Sequence, residues 1–147
     1  MNKENLTKEL NVYLANLNIL YIKLHNYHWN VSGLGFFELH TQFENFYTQV
    51  SLDLDTVAER LLTIGERPSA SMKEYFEIAT MEEKSSEAIS SKESVESVIK
   101  DFRFMLDSSN GILKIAEQLR DLPTTDMMTQ FIANYEKTLW MLNAYTA

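Results

Sequence analysis

The chain has 147 residues, about the length of one domain, and its lack of cysteine excludes disulfides, zinc–thiolate sites and thiol nucleophiles. The formal net charge of −8, without a basic tail, disfavours nucleic acid as a direct partner and favours cations. No apolar run approaches the about 18 residues of a membrane span, and the polar start lacks a signal-peptide core, so we expect a cytoplasmic protein without a membrane partner.

Apolar residues at helical spacing predict four long helices. The first runs over about residues 4–31 and ends at the glycine-containing turn NVSGLG. The second runs over about 36–64 and ends at Gly65 and Pro68. A long polar connection then precedes the last two helices, which carry regularly spaced apolar residues as far as Leu142.

Helix-start signals divide the remainder of the chain. Ser71 with Glu74 predicts a short helix within the connection, and Ser90 with Glu93 predicts the start of the third long helix. Pro123 suits the first turn of the fourth. One long crossover between the second and third helices is the ferritin-like topology. We therefore predict an all-α fold, a ferritin-like four-helix bundle whose crossover carries a short helix, in a single domain over residues 1–147.

Five polar residues lie on related faces of the first two helices. His28 falls on the apolar stripe of helix one, and the pairs His40/Glu44 and Asp55/Glu59 are each four residues apart on helix two. At about 100° per residue these two pairs share one face of that helix. Asp53 points to the opposite side, where we expect it to be solvated. Taken singly, each residue is an ordinary core histidine or surface acid, but together they suit a divalent transition metal.

Helix length prevents these donors from serving one site within a single chain. Asp55 follows Glu44 by 11 residues, which is about 16 Å along a straight helix, whereas paired metal ions lie about 4 Å apart. If both sets cooperate, two chains must meet antiparallel across a two-fold axis, with two equivalent sites per pair. Glu-x-x-His pairs, typical of other di-iron bundle enzymes, are absent from the sequence.

The same residues carry a family resemblance. The string HWNVSGLGFFELHTQFE, followed by Asp55-x-x-Ala58-Glu59-Arg60, resembles the signature HWxxxGxxFxxLHxxF(D/E)…DxxAER of the Dps family, the miniferritins related to DNA-binding proteins from starved cells. The similarity extends from about residue 7 to Tyr145. It implies a shell of twelve subunits that oxidises Fe(II), preferentially with hydrogen peroxide rather than dioxygen, and stores ferric mineral in protection against oxidative damage.

The resemblance also assigns roles to residues. His28, His40 and Glu44 of one chain, with Asp55 and Glu59 of its partner, would form each ferroxidase site at a two-fold interface, with room for two iron ions. Trp29 would lie beside the site. Acidic channels near the junction of the last two helices make Glu117, Asp121 and Asp126 candidates for iron entry; charged residues at a helix start are also commonly solvated or capping.

Two positions depart from the family pattern, and one function remains as an alternative. Glu44 stands where many members have aspartate, and Thr138 where relatives often carry histidine. Direct DNA binding, which needs basic tails in the members that do it, is not expected of this acidic chain. The main alternative to a ferroxidase is a non-enzymatic shell that binds divalent metal. A structural bundle with an incidental set of ligands would leave the five-donor pattern unexplained.

Overall fold

The computed structural model describes residues 2–147. Five helices account for most of the chain: α1 (Lys3–Asn30), α2 (Phe36–Thr63), α3 (Met72–Ile78), α4 (Ser91–Gln118) and α5 (Leu122–Thr146). Two short strands, β1 (Val31–Ser32) and β2 (Ile89–Ser90), pair in parallel where α1 ends and α4 begins. The predicted all-α bundle is confirmed, and the strand pair is a feature that the sequence analysis missed.

The four long helices form two packed hairpins. Helix α1 packs along α2, and α4 packs along α5, while residues 64–90 form the crossover that carries α3. Leucines spaced along α1 at Leu10, Leu14, Leu17 and Leu24 are at most 1% exposed, so this helix forms the centre of the core. None of the helices in residues 2–147 is long and apolar enough to cross a membrane.

The helix starts follow the capping signals in the sequence. The side chain of Ser71 accepts a hydrogen bond from the Glu74 amide, and that of Ser90 accepts one from the Glu93 amide. Both predicted caps are therefore present, and each pairs a backbone N–H that the first helical turn leaves without an intrahelical acceptor. At the turn before α2, Gly35 has a φ of +85°, and a Cβ there would collide with the Tyr145 hydroxyl.

Asparagine side chains on α1 hold the crossover in place. The Asn16 carboxamide, which is 1% exposed, accepts hydrogen bonds from the amides of Thr80 and Met81 and donates to the Thr80 hydroxyl. Farther along α1, Asn26 donates to the carbonyl oxygens of Lys84 and Ser85. The crossover has little regular structure of its own, so these side chains pair backbone groups that would otherwise be left unsatisfied.

A buried ion pair joins α1 to α4. Lys23 Nζ lies 2.9 Å from Asp101 Oδ1, and the Tyr27 hydroxyl lies 3.4 Å from Asp101 Oδ2. The side chains of the ion pair are 10% and 9% exposed. Burial raises the pKa of Asp101 even though Lys23 opposes the shift. The desolvation of this carboxylate therefore outweighs the attraction of its partner.

The prediction that Asp53 is solvated is wrong. Its carboxylate is half-buried between α2 and α5, beside a cavity of about 40 Å³ that Phe46, Phe102 and Tyr135 help to line. Gln49 Nε2 donates a hydrogen bond to Asp53 Oδ1 at 2.9 Å, but burial is the larger effect and raises the pKa of Asp53 to about 6. Helical spacing correctly placed this side chain on the side of α2 opposite the predicted ligands, but it did not indicate that α5 packs over that side.

The buried carboxylate of Asp53 makes stability depend on pH. Because the folded pKa of about 6 exceeds the unfolded value of about 3.9, the folded state binds more protons between these values, and stability falls as pH rises through this range. The replacement Asp53→Asn is therefore expected to stabilise the protein at pH 7.5 by about 1–2 kcal/mol, after allowance for partial exposure. The gain should vanish near pH 4.

Urea unfolding of both proteins across this pH range measures the effect. Asp107→Asn is a suitable control, because Asp107 is an exposed acid on α4 whose removal changes net charge equally. A gain from Asp53→Asn that is constant with pH, or that the control reproduces, would contradict the electrostatic explanation.

Candidate metal centre

The two histidines predicted as ligands lie side by side across the turn between α1 and α2. Their rings stack with centroids 3.7 Å apart. His28 Nδ1 lies 2.5 Å from the His40 carbonyl oxygen, and His40 Nδ1 lies 2.7 Å from the His28 carbonyl oxygen. Each Nδ1–H can thus donate to the backbone of the other residue. Such hydrogen bonds orient metal-ligating histidines and leave both Nε2 lone pairs free for a metal.

Glu44 adds a carboxylate to this end of α2. It lies one helical turn after His40, with Oε1 4.0 Å from His28 Nε2 and with its side chain 57% exposed. His28, in contrast, is buried, so the imidazole is held by the fold while the carboxylate remains free to move. Two neutral nitrogens and one anionic oxygen are suitable first ligands for Fe(II).

The second pair of predicted ligands lies near the far end of α2. Asp55 and Glu59 line a shallow hollow of about 380 Å³ with Arg60 and Met127. A hydrogen bond between the two carboxyl groups, together with the negative charge of Asp55, raises the pKa of Glu59. A cation bound between the two groups would replace the shared proton and relieve the repulsion.

The two sets of donors do not meet within one chain. In residues 2–147, no three His, Asp or Glu side chains converge closely enough to hold a metal ion. His28 lies on α1, whereas the other four donors lie on α2, which is unbroken between Glu44 and Asp55. We call these two groups of predicted ligands half-sites: the histidine half-site contains His28, His40 and Glu44, and the carboxylate half-site contains Asp55 and Glu59.

Aromatic residues surround the histidine half-site. Trp29 is 68% exposed and lies next to His25, with ring centroids 5.3 Å apart. His25 in turn stacks on Tyr47 at 3.7 Å, and Tyr47 lies 5.4 Å from the His28 ring. The sequence analysis named neither His25 nor Tyr47 as a candidate site residue. The signal for Tyr47 was its position three residues after Glu44, on the ligand face of α2.

The pore candidates lie at the junction of α4 and α5. Asp121 caps α5 and is bound by Arg60, whose Nη2 lies 2.8 Å from Asp121 Oδ1. Burial opposes ionisation here, but hydrogen bonds from Thr124 and the Arg60 guanidinium lower the pKa of Asp121. Glu117 and Asp126 are exposed. Asp121 thus already has a structural partner, while the role of all three in iron entry stays a prediction.

The bundle with its long crossover, together with nitrogen and carboxylate donors on its first two helices, is typical of ferritin-like proteins. The ferritin-like domain model matches residues 7–147. Because DNA protection during starvation proteins are 39–41% identical to it over more than nine-tenths of its length, the chain belongs to the Dps family within this superfamily.

Similarity to individual proteins extends over nearly the whole chain. DNA protection during starvation protein 2 of Bacillus anthracis is 39% identical over 145 residues, which cover 99% of this chain and 98% of that protein. The crystal structure of a Dps protein from Bacillus brevis is 38% identical, covers 100% of both chains and superposes with a TM-score of 0.94.

A third comparison bears on the metal. The crystal structure of a Dps protein from Vibrio cholerae, described as a member of a broad superfamily of ferritin-like diiron-carboxylate proteins, superposes with a TM-score of 0.93 at 36% identity. The superposition covers 98% of this chain and 90% of the Vibrio cholerae chain. Membership of this superfamily implies iron binding.

Proposed function

We propose that this protein is a ferroxidase that sequesters iron: it oxidises Fe(II), preferentially with hydrogen peroxide, and stores the ferric product inside a shell of twelve subunits in the cytoplasm. Its role would be protection against oxidative damage, since the reaction removes both Fe(II) and peroxide. The observation that carries this proposal is the division of five suitable donors into two half-sites that one chain cannot unite.

Pairing two chains across a two-fold axis would complete the site. His28, His40 and Glu44 of one chain would face Asp55 and Glu59 of its partner, and symmetry would generate a second equivalent site. Each site would take two Fe(II) ions as substrate. Its three carboxylates supply negative charge that stabilises Fe(III) more than Fe(II), while the two imidazoles add neutral nitrogen ligands.

Exposed apolar side chains support assembly. Leu34 is 96% exposed, Phe37 80% and Leu52 58%, and all three lie on α2 or on the turn before it, close to the half-sites. Apolar surface of this kind is typical of a protein–protein interface. The family resemblance supports a homododecamer, and the acidic composition supports protection of DNA by chemistry rather than by direct binding.

Two measurements on the intact protein test this proposal. Native mass spectrometry is expected to give a dodecamer. Stopped-flow addition of peroxide, after anaerobic loading with Fe(II), is expected to produce ferric absorbance much faster than a protein-free blank, and the iron should stay in solution. If iron is bound but oxidised no faster than in the blank, the protein is instead a non-enzymatic metal-binding shell. If the protein is a monomer, the shared site is wrong.

A further inference from the structure

The Tyr47 ring is held beside the histidine half-site by residues that the proposed function leaves unused. His25 stacks on it with centroids 3.7 Å apart and an interplanar angle of 15°. The His28 ring lies at 88° to Tyr47, with centroids 5.4 Å apart. His25 Nδ1 is itself fixed by the Tyr21 carbonyl oxygen at 2.9 Å. Tyr47 therefore lies in a clamped position between α1 and α2, in contact with a predicted iron ligand.

The phenol of Tyr47 is available as a hydrogen-bond donor at this place. Its hydroxyl makes no hydrogen bond to any other group in residues 2–147 and is not among the buried polar atoms. A phenol carries its proton at neutral pH and can therefore donate a hydrogen bond. Because Tyr47 follows Glu44 by three residues on an α-helix, both side chains lie on the same face.

The reaction at the proposed site creates a need for such a donor. When peroxide oxidises two Fe(II) ions, each iron gives one electron, the O–O bond breaks, and the two oxygens become two hydroxide ions. Negative charge thus develops on both oxygens as the bond breaks. The iron ions would stabilise charge on an oxygen that contacts them, and a fixed hydrogen-bond donor would stabilise charge on an oxygen that does not.

We propose that Tyr47 donates a hydrogen bond to peroxide at the ferroxidase site and thereby favours peroxide over dioxygen as the oxidant. This inference rests on the proposed ferroxidase function. Tyr47 keeps its proton throughout, so the balance of the reaction is unchanged. Dioxygen gains less from the donor, because the first electron it accepts leaves the O–O bond intact and is shared between both oxygens. His25 is a positioning residue, since it holds the Tyr47 ring without touching the oxidant.

The variant Tyr47→Phe tests this role, because it removes the hydroxyl and keeps the ring. Its matched control is Tyr21→Phe, which removes a neighbouring hydroxyl from a ring whose centroid lies 5.9 Å from that of Tyr47. We expect Tyr47→Phe to slow Fe(II) oxidation by peroxide about tenfold and to leave oxidation by dioxygen within about twofold. Tyr21→Phe should match the wild type with both oxidants.

Two binding measurements separate hydrogen bonding from a merely structural role. Azide is an anionic probe that accepts hydrogen bonds, and its affinity for the iron-loaded protein, followed by absorbance, should fall several-fold in Tyr47→Phe alone. Co(II) binding, which reports the ligand geometry, should be unchanged. Loss of Co(II) binding in Tyr47→Phe would overturn the proposal, because Tyr47 would then support the geometry of the iron ligands. A phenolate-to-iron absorption band that is present in the iron-loaded wild type and missing from Tyr47→Phe would also overturn it, because Tyr47 would then be an iron ligand itself.

The kinetic outcomes also distinguish this inference from the proposed function. Wild-type peroxide kinetics no faster than a protein-free blank would overturn both. Rapid wild-type kinetics with an unchanged rate in Tyr47→Phe would overturn only the role of Tyr47. An equal decrease with peroxide and dioxygen would likewise overturn it, since the hydroxyl would then not discriminate between the oxidants.

Discussion

Replacing Glu59 by alanine is expected to slow peroxide-driven oxidation of Fe(II) by about 100-fold. The substitution removes one of only two carboxylates in its half-site and leaves Asp55 as the single remaining donor there. Because the charge of Asp55 and the hydrogen bond between the two carboxyl groups raise the pKa of Glu59, removal of Glu59 also releases Asp55 from that interaction. Because Glu59 is exposed, we expect the loss to reflect missing iron coordination rather than a disturbed fold.

Stopped-flow absorbance after anaerobic Fe(II) loading measures this effect. Glu96→Ala is the matched control, because it removes an exposed glutamate from α4, a helix that carries none of the five donors. Native mass spectrometry of both variants should give the wild-type assembly. If Glu59→Ala oxidised Fe(II) as fast as the control, Glu59 would not be part of the site.

Asp101→Ala should destabilise the protein by about 3–5 kcal/mol, since it leaves the Lys23 ammonium buried without a counter-ion. The side chain of Lys23 is only 10% exposed. The Tyr27 hydroxyl would lose its partner as well. The double variant Lys23→Met/Asp101→Leu removes both charges and restores apolar packing, so we expect its stability to lie within about 1–2 kcal/mol of the wild type or above it.

Urea unfolding of the wild type and these two variants at neutral pH distinguishes the explanations. If the ion pair itself were strongly stabilising, the double variant would be about as unstable as Asp101→Ala. That result would contradict the conclusion that desolvation outweighs the attraction between Lys23 and Asp101.

Local signals made the helices predictable from sequence. Apolar spacing gave each long helix to within a few residues, and Ser71 and Ser90 marked helix starts that the structure confirms. These features depend on neighbours three or four positions away, so a single sequence contains them. The order of the helices and the long connection then sufficed for the ferritin-like topology.

Features that depend on distant partners were not predictable. Nothing in the sequence near Asn16 indicates that its side chain binds the backbone of Thr80 and Met81, more than 60 residues later. For the same reason Asp53 looked like a surface residue until α5 was seen to pack over it, and the parallel pairing of Val31 with Ile89 left no periodic pattern.

The placement of the candidate ligands was predictable in part. The stacking of His28 on His40 and their reciprocal hydrogen bonds agree with the placement of both residues beside the turn. The separation of Asp55 from Glu44 follows from helix length alone. The position of Tyr47 against His28, however, needs the packing angle between α1 and α2, which periodicity does not provide.

The central claim is that each site is built from two chains, and assemblies of mixed variants test it most directly. His28→Ala and Glu59→Ala chains, co-expressed with different tags and purified together, would pair at random across the two-fold axes. Every mixed pair then has one doubly altered site and one intact site, so about a quarter of all sites should be restored. Pure assemblies of either variant have none.

Peroxide-driven oxidation in the mixed assemblies is therefore expected at about a quarter of the wild-type amplitude per chain, and near the blank in each pure variant. If every site were made from a single chain, each chain in the mixture would carry a defect. Activity in the mixed assemblies no higher than in the pure variants would contradict the shared site.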